Sequence, residues 1–493
     1  MIGGYLALLI VLGLVSSMFF RGTSADFFVA SRSIGPFMLL MSVFGTTMTA
    51  FALVGSTGKA FQKGIGVYGL MASWSGLVHS AVFFLVGIKL WAIGKRHGYV
   101  TQIQFFRDRF QSNLLGYLLF PVLVGLVIPY LLIGLLGAGA VMVGVTRDMF
   151  PDFFESTGGA IPKWLTGLII SAVVLYYVFF GGVRSAAWAN TFQTLVFMVT
   201  GVIIIVLIAR ALGGMVDASE MVAFTSPQHL VREGMIGQME FLSYLFVPLS
   251  VGMFPHLFQH WLTARSAKTF RLTVIAHPIF IMIVWVPCIL IGIWAVGEGV
   301  EAPPNAVLSV MVKDLVDSPF LIGLVTAGIL AAIMSSLDSQ FVCIGSMFTN
   351  DIVVHKFGKD RFSDKQKIRL GRGFILLVVA VTYVLSLMEP RKVFDLGVWC
   401  FSGFAGLFPL VFLAVYWKRA TRAGAICCVL ATIVTWSVCF VRSNFGKDEG
   451  LIAGMMPVAI IFAVSLLALI IVSMITPQLD KSHVERFFIN KKI

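Results

Sequence analysis

Charge is scarce in this chain. Only 12% of its 493 residues are Asp, Glu, Lys or Arg, about half the fraction of a soluble globular domain. The six cysteines (Cys288, Cys343, Cys400, Cys427, Cys428 and Cys439) all fall in apolar segments, without metal-site spacing. They read as buried thiols rather than a disulfide framework. No Gly-x-x-x-x-Gly-Lys-Ser/Thr loop occurs, so ATP-driven work has no support. Nothing resembles a hydrolytic triad or a metal cluster, so no enzymatic activity, transition metal or organic cofactor is expected. No polar segment is long enough to form a catalytic domain.

Apolar residues fill the space that charge leaves. Hydrophobic residues make up 58% of the chain, led by 44 Phe, and the mean hydropathy is +0.95. The fold class is an all-α polytopic membrane protein. A net charge of +13 suggests a polyanionic partner, but its distribution excludes nucleic acid, because cytoplasmic loops of membrane proteins concentrate Lys and Arg. The first apolar run, Met1 to Phe20, lacks a basic leader and a small-residue cleavage site, so it reads as a retained helix.

Windows of about 20 apolar residues mark thirteen spans, roughly 1–20, 37–57, 68–94, 114–146, 164–181, 187–212, 239–257, 272–296, 319–350, 370–388, 396–417, 423–441 and 451–475. Charge sets the orientation. With the N-terminus outside and the C-terminus cytoplasmic, inside segments hold 24 of the 36 Lys and Arg, and outside segments hold 15 of the 23 acids. That is the positive-inside pattern of a multi-pass plasma-membrane protein.

Two spans are interrupted. The second carries Gly45, Gly55 and Gly58 among four threonines and two serines, and the seventh carries Pro248, Gly252 and Pro255. Proline removes a backbone hydrogen bond, glycine cheapens departure from helical geometry, and carbonyls freed inside a membrane must face protein, water or a ligand. The interruptions lie five spans apart. They would head two inverted five-helix repeats of the leucine-transporter type, helices 2–6 and 7–11, an arrangement that points to a solute site near the midplane. The chain then divides into 1–36 (first helix and cytoplasmic loop), 37–212 (first repeat), 213–418 (second repeat) and 419–493 (peripheral helices and cytoplasmic tail).

In the ninth span Ala332, Ser335, Ser336 and Ser339 are spaced i, i+3, i+4, i+7 and share one helix face, with Gly328 one turn earlier. Such a stripe serves either as helix-packing glue or as a source of oxygens for a small hard cation. Asp338 is an intramembrane carboxylate, a candidate for function or for a hydrogen-bonded structural role. Asn190 and Gln193 open the sixth span, as packing amides or as gate residues. Candidates for a solute pocket are Thr47, Phe51, Trp74, His79, Ser250, Trp399 and Ser402, and core packing is the competing reading for each. Lys89 reads as snorkelling to the interface.

Several of these stretches resemble one family. Ala25-Asp-Phe-Phe-Val-Ala-Ser-Arg-Ser-Ile-Gly35, Gly181-Gly-Val-Arg-Ser-Ala-Ala-Trp-Ala-Asn-Thr-Phe-Gln193, Phe254-Pro-His256, Ala331-Ala-Ile-Met-Ser-Ser-Leu-Asp-Ser339 and Tyr416-Trp-Lys-Arg419 resemble, in order and spacing, the sodium/solute symporters of the proline, pantothenate and galactose carrier type. The resemblance implies thirteen helices, alternating access, and one sodium site between the second and ninth helices. Its oxygens would be the carbonyls of Gly45, Met48 and Ala332 and the hydroxyls of Ser335 and Ser336. The implied activity is sodium-coupled uptake of a small organic solute by a monomer or weak homo-oligomer in the lipid bilayer.

Three positions depart from the family pattern. Ala189-Asn190 stands where members often carry Thr-Asp, Thr47 where proline carriers carry an acid, and His260 where Arg is common. They keep a sodium-independent facilitator or a proton-linked carrier as the alternative. A transporter-like sensor would need an output domain or docking tail, and the segment after residue 475 is short.

Overall fold

Backbone groups in a membrane interior must bond within their own segment, so apolar runs of this length fold as helices. The computed structural model describes residues 1–20, 22–388, 392–448 and 450–488. Arg21, Glu389, Arg391, Glu449, Lys491 and Lys492, which contribute to the charge pattern, lie outside the described residues. Among the described residues the chain is nearly all helical, with no β-strand.

The helices that matter here are α1 (Ile2–Ser17), α2 (Pro36–Thr47), α3 (Phe51–Lys63), α4 (Tyr68–His97), α5 (Asn113–Thr146), α6 (Lys163–Ala211), α7 (Gln238–Gly252), α8 (Pro255–Thr263), α9 (Ala267–Gly297), α10 (Pro319–Phe357), α11 (Asp364–Met388), α12 (Val393–Tyr416), α13 (Arg422–Arg442), α14 (Pro457–Ile475) and the short α15 (Lys481–Glu485). Nine of the described helices are long and apolar enough to cross a membrane, and eleven spans result when each of two bent pairs counts once.

The bent pairs are the interrupted spans. α2 meets α3 at 56° and α7 meets α8 at 52°. Helix α2 ends at Thr47, and Met48 leaves helical geometry (φ −89°, ψ 96°). In the second pair, α7 tightens into 3₁₀ geometry around Pro248 over Tyr244–Gly252, and Pro255 starts α8 at a position where its missing N–H costs nothing.

Helix starts follow local chemistry. Thr101 and Gln104 form a reciprocal capping box before the short helix Gln102–Arg109. The hydroxyls of Ser112, Ser318 and Thr421 cap α5, α10 and α13.

The loop expected between the fifth and sixth spans is absent. Residues 182–186 form no loop, because α6 runs from Lys163 to Ala211 with a single non-helical residue, Gly182 (φ 56°, ψ −141°). A side chain there would overlap the Phe27 carbonyl oxygen. The chain therefore turns within one glycine, whose conformation is closed to other residues.

Helix α10 is the centre of the molecule. Every residue from Val325 to Met347 is buried, and its most extensive interface is with α6. Gly328 allows this approach, since a Cβ there would overlap the Thr200 side chain of α6. Helix α12 is also largely enclosed, whereas α11, α13 and α14 keep most of their surface outward.

Candidate functional site

The break after Thr47 leaves the last carbonyls of α2 without helical donors, the usual deficit of a helix C-terminus. One of them is turned onto α10. The Ser335 hydroxyl lies 2.7 Å from the Gly45 carbonyl oxygen and 2.8 Å from that of Ala332. A hydroxyl has one proton, so it cannot fully satisfy both carbonyls. Three oxygens therefore converge where two helices cross, each with spare lone-pair capacity and none with a formal charge. This is a donor set suited to a small hard cation and unsuited to a soft transition metal.

Gly45 permits the crossing, because a Cβ there would come within 2.5 Å of Thr194 Oγ1. The structure thus brings together Gly45, Ala332 and Ser335 of the sequence-derived sodium set. Met48 is fully buried at the end of α2. The Ser336 hydroxyl turns back to the Ile333 carbonyl of its own helix at 2.9 Å.

A hydrogen-bonded cluster adjoins these oxygens. The Thr46 hydroxyl lies 3.2 Å from the Ser335 carbonyl oxygen and 2.5 Å from the Ser339 hydroxyl. His260 Nε2 lies 2.8 Å from the same hydroxyl. Asn190 fits with its amide oxygen toward Ser339 (3.0 Å) and its Nδ2 toward the Ser335 carbonyl (2.8 Å) and both oxygens of Asp338 (3.0 and 3.1 Å). Asp338 is also met by the Tyr177 hydroxyl at 3.2 Å and by Ser339 at 3.0 Å. Asn190, Gln193 and Asp338 are all fully buried here; Gln193 Oε1 lies 3.3 Å from Asn190 Nδ2 in this orientation. Sequence reasoning passed over Thr46 and Tyr177 as partners of this cluster. Thr46 carried a usable signal in its place beside Gly45, whereas Tyr177 looked like any aromatic in an apolar run.

An aromatic group closes the space between the two helix breaks. Phe51, the first residue of α3, packs on Phe401 of α12 at 5.0 Å between ring centroids. Phe401 meets Tyr130 of α5 at 5.0 Å and Phe254 at 5.5 Å. The His256 ring stacks on Phe254 at 5.2 Å, and both of its nitrogens are buried without a hydrogen-bond partner among the described residues.

The remaining pocket candidates occupy several places. Thr47 donates to the Phe44 carbonyl beside the break (2.8 Å). Ser250 accepts the Met253 and Phe254 amides through its carbonyl, shaping the second break. Ser402 bonds within α12 to the Val398 carbonyl (2.6 Å). Trp74 donates to the Phe241 carbonyl (3.3 Å), His79 pairs with His277 (3.1 Å), and Trp399 packs against Trp436 and Phe440. Phe51 alone of the seven enters the Tyr130–Phe254–Phe401 group.

Near the middle of α6, just after Gly182, two distant motifs meet. Arg184 Nη2 bonds the buried Asp26 carboxylate at 2.6 Å and the Ala30 carbonyl at 3.3 Å, and Ser31 donates to the same carboxylate at 2.7 Å. The Gly182 turn packs against Phe27. The family model "Sodium:solute symporter family" matches residues 27–432, which include the second of these motifs, the first from Phe27 onward, both breaks and the serine pair. The chain belongs to that family.

It is accordingly a multi-pass membrane transporter and not an enzyme. This family member is 25% identical over 479 residues to the osmoregulated proline transporter OpuE of Bacillus subtilis (strain 168), covering 95% of this chain and 93% of the relative. It is 26% identical over 505 residues to the sodium/proline symporter of Staphylococcus aureus (strain JH9), covering 97% and 92%. The solved substrate-bound outward-open state of a Na+-coupled sialic acid symporter superposes with a TM-score of 0.76 over 97% of each chain at 18% identity. That likeness shows a common fold.

Proposed function

We propose that this symporter-family member couples the inward sodium gradient to uptake of a small organic solute by alternating access. The observation that carries the reading is the meeting of the Gly45 carbonyl, freed by the break in α2, with Ala332 and Ser335 of α10. A cation held there by Gly45, Met48, Ala332, Ser335 and Ser336 would tie the first broken helix to the central one. Ser336 would reach it by a rotation about its Cα–Cβ bond. Sodium would thereby favour one of the two access states, and its differential affinity supplies the coupling. The solute would bind between the two breaks, where Phe51 lies, with Thr47 and Ser250 at their edges. Both relatives are named for proline, which makes proline the first solute to test.

The thirteen-span arrangement follows from length. Helix α6 has 49 residues, and at 1.5 Å each it would extend about 74 Å, well beyond a bilayer of about 40–45 Å. Gly182 therefore divides it into two spans. Adding the short α1 to the apolar helices and bent pairs brings the total to thirteen, with the N-terminus outside. The bent pairs α2–α3 and α7–α8 head repeats over 37–212 and 213–418. Asn190, Gln193 and Asp338 lie next to the ion site and are assigned to its gating.

The test is thermal unfolding of the purified protein in sodium, potassium and choline buffers, beside Ser335→Ala. Sodium at about 100 Kd stabilises by roughly 2.7 kcal/mol if it binds only the folded state. A sodium-specific rise that the substitution abolishes supports the site. Equal stability in all three buffers would shift the reading to a proton-linked or uncoupled carrier, in which the buried Asp338 carboxylate becomes the first residue to substitute.

A further inference from the structure

Above the aromatic group, toward the end of the molecule that the topology places outside, a cavity of about 20 Å³ is lined by Lys59 of α3, Glu240 of α7 and Asp395 of α12, with Asp448 at its rim. Lys59 and Glu240 are each only 5% exposed. Charges so enclosed require compensation by neighbours, and one cavity gathers a single ammonium with several carboxylates. The layers are in register. The Lys59 ammonium sits over the Phe394 ring at 4.7 Å from its centroid, Phe394 stacks on Phe51 at 5.4 Å, and Phe51 begins the helix after the break.

We propose that Lys59, Glu240 and Asp395 form an electrostatic outer gate, whose closure seals the solute path and whose parting opens it. The inference rests on the alternating-access reading. Two of the three charges stand on outer halves of the broken helices, α3 and α7, and the third on α12, so any outward opening between these elements separates them. A charged gate also suits a switch. The attraction gained on closing is offset by the lost hydration of the same groups, which leaves the two states close in free energy. A purely apolar seal of the same area would bias the molecule toward closure.

Val398 also lines this cavity and is 8% exposed, so Val398→Cys reports on it. The experiment measures labelling of that cysteine by a membrane-impermeant maleimide applied from outside, with the parent protein as the control for its own six cysteines. Lys59→Met is expected to speed labelling about tenfold, the consequence of a modest shift in a two-state equilibrium. Exchanging the charges, with Lys59→Glu and Asp395→Lys together, is expected to bring the rate back toward that of the parent gate.

Two results would overturn the gate. One is unchanged labelling in a folded Lys59→Met protein, and the other is a charge exchange that labels as fast as Lys59→Met. If Lys59→Met does not reach the membrane, Glu240→Gln and Asp395→Asn carry the test. Glu240→Gln retains an acceptor for the Gly237 amide that Glu240 caps, and either substitution must speed labelling for the gate to stand. Sodium stabilisation of the parent protein reads the transport mechanism separately, so labelling rates bear on the gate alone.

Discussion

Ser335→Ala removes a hydroxyl that sits 2.7 Å and 2.8 Å from two carbonyl oxygens. Without sodium the loss is that of one buried hydrogen bond, about 1 kcal/mol net, with the Gly45 carbonyl left facing an alanine. With sodium the substitution also deletes one ligand of five. Hydrogen-bond-scale interactions with a charged group contribute about 1.5–3 kcal/mol, so affinity should fall roughly tenfold to a hundredfold. At a concentration near 100 Kd of the parent protein, the stabilisation would drop from about 2.7 kcal/mol to about 0.4 kcal/mol at the hundredfold limit, because the ion is then near its new Kd. The assay is apparent melting temperature against sodium concentration at constant ionic strength, with potassium as the balancing cation. Thr326→Ala, which deletes an own-helix hydroxyl bond at 2.7 Å earlier in α10, controls for loss of helix polarity. A Ser335→Ala protein that keeps the full sodium-specific rise would refute the ion site at this crossing.

Arg184→Ala removes the guanidinium from the fully buried Asp26 carboxylate and should destabilise the protein by about 3–5 kcal/mol; Arg184→Lys should recover only part of this in a denaturant titration, since the shorter side chain does not carry its nitrogen to the position from which Nη2 bonds both Asp26 and Ala30. Gly182→Ala forces a side chain into a glycine-only conformation and onto the Phe27 carbonyl, which should cost at least about 1–3 kcal/mol and lower folded yield in size-exclusion profiles. Phe51→Ala empties part of the aromatic group at a cost of about 3–5 kcal/mol. In the protein that survives, solute affinity should fall while the sodium-specific thermal shift persists, and loss of both together would show that Phe51 supports the whole crossing rather than the solute side.

Much of the architecture is legible in the sequence. Hydropathy and the positive-inside bias set the helical class, because a bilayer admits few solutions for an apolar backbone. The breaks at Met48 and before Pro255 were readable from Gly and Pro placement, which acts locally. The hydroxyl face of α10 was readable from helical periodicity alone. The turn at Gly182 was missed as a turn within one residue, since a glycine–glycine pair reads equally well as a loop.

Periodicity tells which residues share a face, yet not what that face meets. Only the tertiary structure turned the Gly45 carbonyl onto Ser335, 290 positions away, and joined Arg184 to Asp26. Only it gathered Phe51 with Tyr130, Phe254 and Phe401, while packing Trp399 against Trp436, Trp74 against Phe241 and His79 against His277. An aromatic side chain carries the same local signal in a pocket as in a packed core. Its role depends on how helices distant in sequence are rotated about their axes, and that rotation is fixed by the sum of many small contacts rather than by any one residue.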